Sequence, residues 1–232
     1  MAAPAWLWKG HLFQFDREPA RPAHHAAAGV RILAGVVALE AVRWTINLPR
    51  FHPPRIWLQI PLFLALGLLL VPLCGLRFRD VGFRRWAEWT RAEKSYFIQV
   101  LLIANAVFPL IFAARLRAVV AGPGTVAWLL TVFVPYLFFG FYQELVYRGL
   151  LQTELVRRWG PAAGIAGSNL LFTFGPLHAV YFGAGAGVAI PMFAGVFAIG
   201  LLFALVFRRS GNLWIVAVMH AIGNAYIVGS GR

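Results

Sequence analysis

The chain has 232 residues, of which 60% are hydrophobic and only 12% are charged, and its mean hydropathy is +0.72. A soluble domain carries about twice that charged fraction, so the composition excludes an ordinary soluble protein and predicts an integral membrane protein. The formal net charge of +13 does not indicate nucleic-acid binding. The basic residues lie in short segments between apolar runs, where they suit a lipid bilayer with anionic headgroups.

The N-terminal residues 1–28 are mixed in character and contain several prolines and histidines. They lack the basic start, apolar middle and small-residue cleavage site of a signal peptide. This pattern predicts a cytoplasmic or interfacial arm. A membrane domain over residues 29–232 is expected to follow it.

The first apolar run, residues 29–48, is interrupted by Arg31, Glu40 and Arg43. Glu40 and Arg43 are three residues apart, a spacing at which opposite charges meet on one face of a helix. We expect an internal ion pair that packs into the bundle.

Six further runs are long and apolar enough to cross a bilayer. They lie at about residues 56–76, 95–114, 125–157, 162–177, 188–207 and 212–228. Gly160 and Pro161 are expected to end the fourth span, and the basic, aromatic segment 77–94 is expected to lie on the membrane surface. The sequence therefore predicts an all-α fold, a polytopic membrane helical bundle of about seven to eight transmembrane helices.

The distribution of Lys and Arg predicts how the bundle faces the two sides of the membrane. With a cytoplasmic N-terminus, fourteen basic residues fall in inner segments and five in outer segments. Cytoplasmic loops carry an excess of Lys and Arg. We therefore expect an integral membrane protein with its N-terminus in the cytoplasm and an odd number of spans.

Ionisable side chains are scarce in the later spans, where Glu144, His178 and His220 make up nearly the whole set. Charge inside a membrane is costly enough to indicate a functional site. Glu144 and Arg148 are four residues apart, which favours an ion pair on one helix face. His220 and Asn224 share that spacing. Helix lengths allow the three ionisable side chains to meet at middle depth, nearer the cytoplasm.

These side chains predict hydrolytic chemistry. A carboxylate with a histidine, here Glu144 and His178, can hold and deprotonate a water molecule. A second histidine with an asparagine, here His220 and Asn224, can donate hydrogen bonds to an oxyanion. Together they predict a peptidase that works below the membrane surface. No cofactor is expected, and the alternative left open is a zinc ion bound by Glu144, His178 and His220.

Three ordered motifs resemble those of a known family. The motifs are Gln143-Glu144-x-x-x-Arg148, Phe174-x-x-x-His178 and His220-x-x-x-Asn224. They are similar to the motifs of the CPBP family, which comprises type II CAAX prenyl endopeptidases and bacteriocin-processing proteins and is also called Abi. The resemblance covers about residues 125–224, which we take as the family core.

The resemblance implies an intramembrane glutamic-type endopeptidase. A glutamate of the first motif and the histidine of the second activate water, and the last motif holds the oxyanion. Gln143, Arg148 and Phe174 would support the site. The family usually has two adjacent glutamates in the first motif, and here the first is Gln143, which cannot act as a base. A catalytically impaired binding or immunity protein is therefore the alternative function.

The expected substrate is a membrane-anchored protein or peptide. It would carry a C-terminal sorting or anchor signal, as in the myxosortase-like bacterial subgroup that the chain resembles, or a CAAX-like end. A third interpretation is a transporter that uses Glu144 and the histidines as a proton relay. The sequence shows neither an evident repeat nor paired broken helices, which counts against transport.

Overall fold

The computed structural model describes residues 26–46 and 56–227 of the chain. Within these ranges the chain forms helices and connecting turns without a β-strand. The helices are α1 (Ala26–Ile46), α2 (Ile56–Leu73), α3 (Arg91–Ile111), α4 (Ala113–Ala121), α5 (125–159), α6 (161–174), α7 (Ala186–Ser210) and α8 (Leu213–Ile227). The predicted N-terminal arm, apart from its last three residues, lies outside the described residues.

The predicted all-α membrane bundle is confirmed. Among the described residues, three helical stretches are long and apolar enough to cross a membrane, and two shorter apolar helices accompany them. The long stretches are Arg91–Ile111, Thr125–Phe174 and Ala186–Ser210, and the shorter ones are Trp57–Leu73 and Leu213–Ile227. The ion pair predicted in the first span is also confirmed, because Arg43 Nη2 lies 2.8 Å from Glu40 Oε2.

Two predicted helix ends are wrong for local reasons. Helix α3 begins at Arg91 rather than near residue 95, because Thr90 and Glu93 form a capping box that starts the helix earlier. Helix α6 ends at Phe174 rather than near residue 177, because Gly175 adopts an extended conformation and a turn follows. The second difference matters for the site, because it removes His178 from the helix.

The helical path from Thr125 to Phe174 changes direction at Gly160. This residue has φ 79° and ψ 170°, a conformation that only glycine adopts without strain. Pro161 then begins α6, where its missing N–H costs nothing. Helix α6 folds back on α5, since the rings of Tyr147 and Phe172 pack edge to face with centroids 5.4 Å apart. The predicted break at Gly160 and Pro161 is confirmed.

Two stretches of α5, Leu129–Phe133 and Leu145–Gln152, are π-helical. A π-helix bonds each N–H five residues back instead of four, so its turns are wider, and such segments are frequent at functional sites. The second stretch begins immediately after Glu144. The wider winding therefore coincides with the first of the three motifs.

Helix α8 packs unusually close to α5 at Gly140. A Cβ added at Gly140 would collide with the backbone of Ala221 and come within 2.9 Å of the carbonyl carbon of His220. Small residues permit this approach between membrane helices. The contact places the start of the last motif directly beside the helix that carries the first.

The segment 77–94 packs against one end of the bundle and contains a short 3₁₀ helix, Trp86–Glu88. The backbone N–H of Leu213 donates to Gly82 O at 2.9 Å, and Arg84 Nε donates to Gly211 O at 2.8 Å. Trp89 is buried. The segment therefore joins the ends of α2 and α7 to the beginnings of α3 and α8.

Candidate active site

Glu144 is the centre of the candidate site. It lies on α5, and its side chain is fully buried. Its Oε1 is 2.6 Å from Nδ1 of His220 on α8, and its Oε2 is 3.4 Å from Nε of Arg148 one turn further along. The predicted ion pair between Glu144 and Arg148 is therefore confirmed. The two carboxylate oxygens have different neighbours, a histidine on one side and a guanidinium on the other.

Arg148 is fully buried and is held from three sides. Besides Glu144, its Nη2 donates to Gly200 O of α7 at 3.0 Å, and its guanidinium carbon lies 4.4 Å from the ring centroid of Phe172. This last geometry is a cation–π contact, which is stronger away from water. Gly200 permits the arrangement, because a Cβ there would collide with the side-chain oxygen of Asn169 and press on the Phe172 ring.

His220 contributes one ring nitrogen to Glu144 and is enclosed by aromatic rings. Its ring centroid lies 5.9 Å from that of Phe172 and 5.1 Å from that of Phe203. Because the acceptor is a carboxylate, we assign the proton of this hydrogen bond to Nδ1. The opposite nitrogen, Nε2, is the one that a substrate or a water molecule can use.

His178 lies in the turn after α6, not on the helix as predicted. Its Nδ1 is 2.8 Å from Phe172 O, and since a carbonyl only accepts, Nδ1 carries the proton and Nε2 of the neutral ring is an acceptor. Burial lowers the pKa of His178, which favours the neutral form. The turn also places His178 towards the far end of α6 rather than at the middle depth that a longer helix would give.

Gln143 and Asn224 form a second link between α5 and α8. Asn224 Nδ2 donates to Gln143 Oε1 at 2.8 Å. Adjacent residues of α5 thus bind residues four apart on α8, with Glu144 on His220 and Gln143 on Asn224. The first and last motifs therefore interlock. One of the two N–H groups of the Asn224 amide is used in this contact, and the amide carries two.

Phe174 does not belong to this cluster. Its side chain is 45% exposed, and its ring packs on Phe193 of α7 with centroids 5.0 Å apart. The four-residue spacing of Phe174 and His178 does not place them on one helix face, because the helix ends between them. Phe172 packs against the site histidines instead, and its ring centroid lies 5.0 Å from that of His178. Gly175 and Pro176, both visible in the sequence, indicate the helix end that would have excluded Phe174.

A cluster on α1 supports the site and was predicted only in part. Tyr142 Oη donates to Glu40 Oε1 at 2.5 Å, while Arg43 binds the other oxygen of the same carboxylate. Tyr142 precedes Gln143 on α5. The predicted internal ion pair of α1 therefore also anchors α1 next to the first motif. The sequence did not predict this role, because the role depends on the contact between α1 and α5.

The three predicted ionisable residues are gathered only in part. Glu144 contacts His220, and both His178 and His220 contact Phe172, but Glu144 is paired with His220 rather than with His178. In residues 26–46 and 56–227, no group of three or more His, Cys, Asp or Glu side chains is arranged to hold a metal ion. The expectation that no cofactor is needed stays a prediction.

Buried polar atoms around Glu144 lack hydrogen-bond partners in the described part of the chain. They include Glu144 Oε2 together with Nε and Nη1 of Arg148. Unsatisfied buried groups are costly and call for an additional ligand such as water or substrate. The arrangement can therefore bind a water molecule at a carboxylate that is shielded from bulk solvent, with two histidines nearby.

Comparison with known families supports this chemistry. A family model described as Rce1-like, type II CAAX prenyl endopeptidase, matches residues 125–226, the part of the chain that contains all three motifs. No curated protein and no solved structure matches the chain. The predicted resemblance is thus confirmed over residues 125–226, and at the level of the family the match supports a protease of the membrane.

Proposed function

We propose that this chain, whose residues 125–226 match the Rce1-like family of type II CAAX prenyl endopeptidases, is an intramembrane endopeptidase in which Glu144 is the general base. The observation that carries this proposal is the fully buried Glu144 carboxylate between His220 and Arg148. A buried carboxylate with a free oxygen can take a proton from water where bulk water is excluded.

The other site residues have distinct roles in this proposal. Glu144 Oε2 accepts a proton from the water molecule as its oxygen adds to the scissile carbonyl carbon. His178, through the lone pair of Nε2, holds that water in place. His220 in its doubly protonated form donates from Nδ1 to Glu144 and from Nε2 to the oxyanion, and Asn224 adds its second N–H. The proton on Glu144 then passes to the leaving amine.

The proposed substrate is a membrane-anchored protein with a cleavage site near or inside the bilayer. A C-terminal sorting or anchor signal fits this class, as does a CAAX-like end. The site lies among helices, so a substrate must reach it from the membrane or from one end of the bundle. Cleavage at a single bond near a membrane anchor would release or reprocess the anchored end.

His178→Ala and His220→Ala are each expected to lower cleavage by at least about 100-fold, because each removes a group that binds the reacting water or the oxyanion. The measurement is terminal-peptide mass spectrometry of membrane fractions. The count includes only new N-termini that are absent from cells lacking this protein. It is compared between cells that produce the wild type and cells that produce a variant at equal abundance.

The matched control is Gln99→Ala. It removes an exposed polar side chain of α3 that donates to Ser95 Oγ of the same helix at 2.9 Å. This variant should keep the wild-type set of new termini. Full cleavage by the His220 variant would refute the proposed roles of both partners of the Glu144–His220 pair.

A second function is favoured by Gln143, which occupies the position of the usual first glutamate. In that alternative the chain binds a helix or peptide without cutting it, as an impaired family member acting in binding or immunity. Gln143 Oε1 is bound by Asn224, and a glutamate of nearly the same shape would accept the same hydrogen bond.

Gln143→Glu separates the two functions. If Glu144 is a sufficient base, the wild type already cleaves, and we expect the Gln143→Glu variant to change the rate by less than about tenfold, since no new transition-state contact is needed. The same count of new termini measures this. Cleavage that appears only in the Gln143→Glu variant would establish the binding protein instead.

A further inference from the structure

Eleven basic residues are gathered at one end of the bundle by tertiary contacts. This set, which we call the basic end, consists of Arg31, Arg77, Arg79, Arg84, Arg85, Arg91, Lys94, Arg157, Arg158, Arg208 and Arg209. The hydrogen bonds from Leu213 to Gly82 and from Arg84 to Gly211 bring the segment after α2 against the turn between α7 and α8. The start of α3 joins them, since Asn212 Nδ2 donates to Glu93 Oε1 at 3.5 Å.

Helix α5 also finishes at the basic end. Arg148 binds Gly200 O, and four residues later Gln152 Nε2 binds Ala204 O at 2.9 Å. Residue numbers rise together in both helices, so α5 and α7 run parallel and end on the same side. Arg157 and Arg158 on α5 therefore lie at the same end as Arg208 and Arg209 on α7, the last pair being in the final turn of that helix.

The turn that holds His178 lies at the opposite end of the bundle, because helix α6 runs back from Pro161. A cavity of about 430 Å³, which we call the mouth, opens there and is lined by Arg43, Trp44, Pro176, Leu177, Ala179 and Val180. This cavity separates the last turn of α1 from the turn that holds His178, and its lining residues are neighbours of His178 in the chain.

Positive charge is sparse at this mouth. The basic residues of the described part of the chain near it are Arg43, Arg115 and Arg117, and Arg43 is already bound to Glu40. Arg115 and Arg117 lie on α4, beyond the end of α3, whose start is at the basic end. Among the described residues, eleven basic residues therefore lie at the basic end and three at the opposite end. Under the positive-inside rule, the end with the excess is the cytoplasmic one.

We propose that the active site opens on the non-cytoplasmic side of the membrane, and that the substrate is a translocated membrane protein whose scissile segment lies on that side. The segment enters through the cavity between the end of α1 and the turn that holds His178. The proposal rests on the proposed proteolysis for the identity of the substrate. The sidedness of the mouth rests on the helix directions and charges alone.

Cysteine labelling tests the sidedness without any need for cleavage. The one natural cysteine, Cys74, is buried and is replaced by alanine. Val180→Cys then reports the mouth, where the natural side chain is 76% exposed, and Arg85→Cys, also exposed, reports the basic end. Each variant is treated with a membrane-impermeant maleimide in intact spheroplasts and again after permeabilisation.

We expect Val180→Cys to be labelled equally before and after permeabilisation, and Arg85→Cys to gain at least tenfold on permeabilisation. The reverse pattern would overturn the proposal. A Val180→Cys thiol that stays unlabelled in permeabilised membranes would overturn it as well, because the mouth would then be closed to water.

Reporters fused directly after Ile227 provide a second test. Helix α8 starts at the basic end and finishes at Ile227, so a reporter that follows Ile227 is expected to lie on the same side of the membrane as the mouth. A fused alkaline phosphatase should be active and a fused green fluorescent protein dark. Bright fluorescence with inactive phosphatase would place the mouth in the cytoplasm. Either result stands whether or not the chain proves to be a protease.

Discussion

Glu144→Gln is expected to lower cleavage by about 1,000-fold while the protein still folds. General-base catalysis contributes about 100- to 10,000-fold, and an amide cannot accept the proton. The change keeps the size of the side chain and leaves an oxygen that accepts the hydrogen bond from His220 Nδ1. The loss should therefore appear in kcat rather than in KM. The measurement is the rate at which new N-termini form in purified, lipid-reconstituted protein mixed with a substrate found in the membrane fractions.

The matched control is Glu88→Gln, which changes an acid in the segment that packs at the basic end, where Glu88 Oε2 lies 3.8 Å from Arg79 Nε. This variant should keep the wild-type rate. Retention of most of the activity by Glu144→Gln would remove the general base from the proposal. In that case, loss of the remaining activity on adding His178→Ala would reassign the base to His178.

Arg148→Met is expected to destabilise the protein by about 3–5 kcal/mol, because it leaves Glu144 as an uncompensated buried charge. The change also removes the hydrogen bond to Gly200 O and the contact over the Phe172 ring. Methionine fills a similar elongated volume, so the effect is mainly that of charge. Denaturant unfolding in detergent, followed by tryptophan fluorescence, measures it.

The control is Arg158→Met. The Arg158 side chain is 32% exposed, and Arg157 pairs with the same Glu154 carboxylate. Loss of Arg158 therefore leaves Glu154 paired, and we expect it to cost only about 1 kcal/mol. The double variant Arg148→Met with Glu144→Gln tests the cause directly. If the loss comes from a stranded carboxylate, neutralising Glu144 should recover most of it. Failure to recover would assign the effect to the contacts with Gly200 and Phe172.

The helices follow from the sequence because their signals are local. Hydropathy and length locate the apolar runs, and Gly160 with Pro161 marks the fold-back between α5 and α6. The short α4 and the docking of segment 77–94 against Leu213 were not predicted, because they depend on contacts between residues distant in the chain. The early start of α3 was missed although its cause, the capping box of Thr90 and Glu93, is readable in the sequence.

The members of the site were more predictable than their pairings. Scarcity of charge in apolar runs singles out Glu144, His178 and His220, and spacing predicts the pair of Glu144 with Arg148. Which histidine meets Glu144 is decided by the packing of α8 on α5 at Gly140, which no spacing rule contains. Phe172 was missed for the same reason, since its importance comes from four neighbours on different elements.

The π-helical stretch Leu145–Gln152 determines which neighbouring helix each side chain of this part of α5 faces. Glu144, just before it, faces His220 on α8, whereas Arg148 and Gln152, within it, face carbonyl oxygens of α7. Because the turns of this stretch are wider than α-helical turns, α5 can direct Glu144 towards α8 and direct Arg148 and Gln152 towards α7. Loss of one residue in this stretch would restore tighter winding and turn the side chains within it, Arg148 among them, away from the groups that they contact. The chain length between Glu144 and Gln152 is therefore as much a part of the site as the side chains that it spaces.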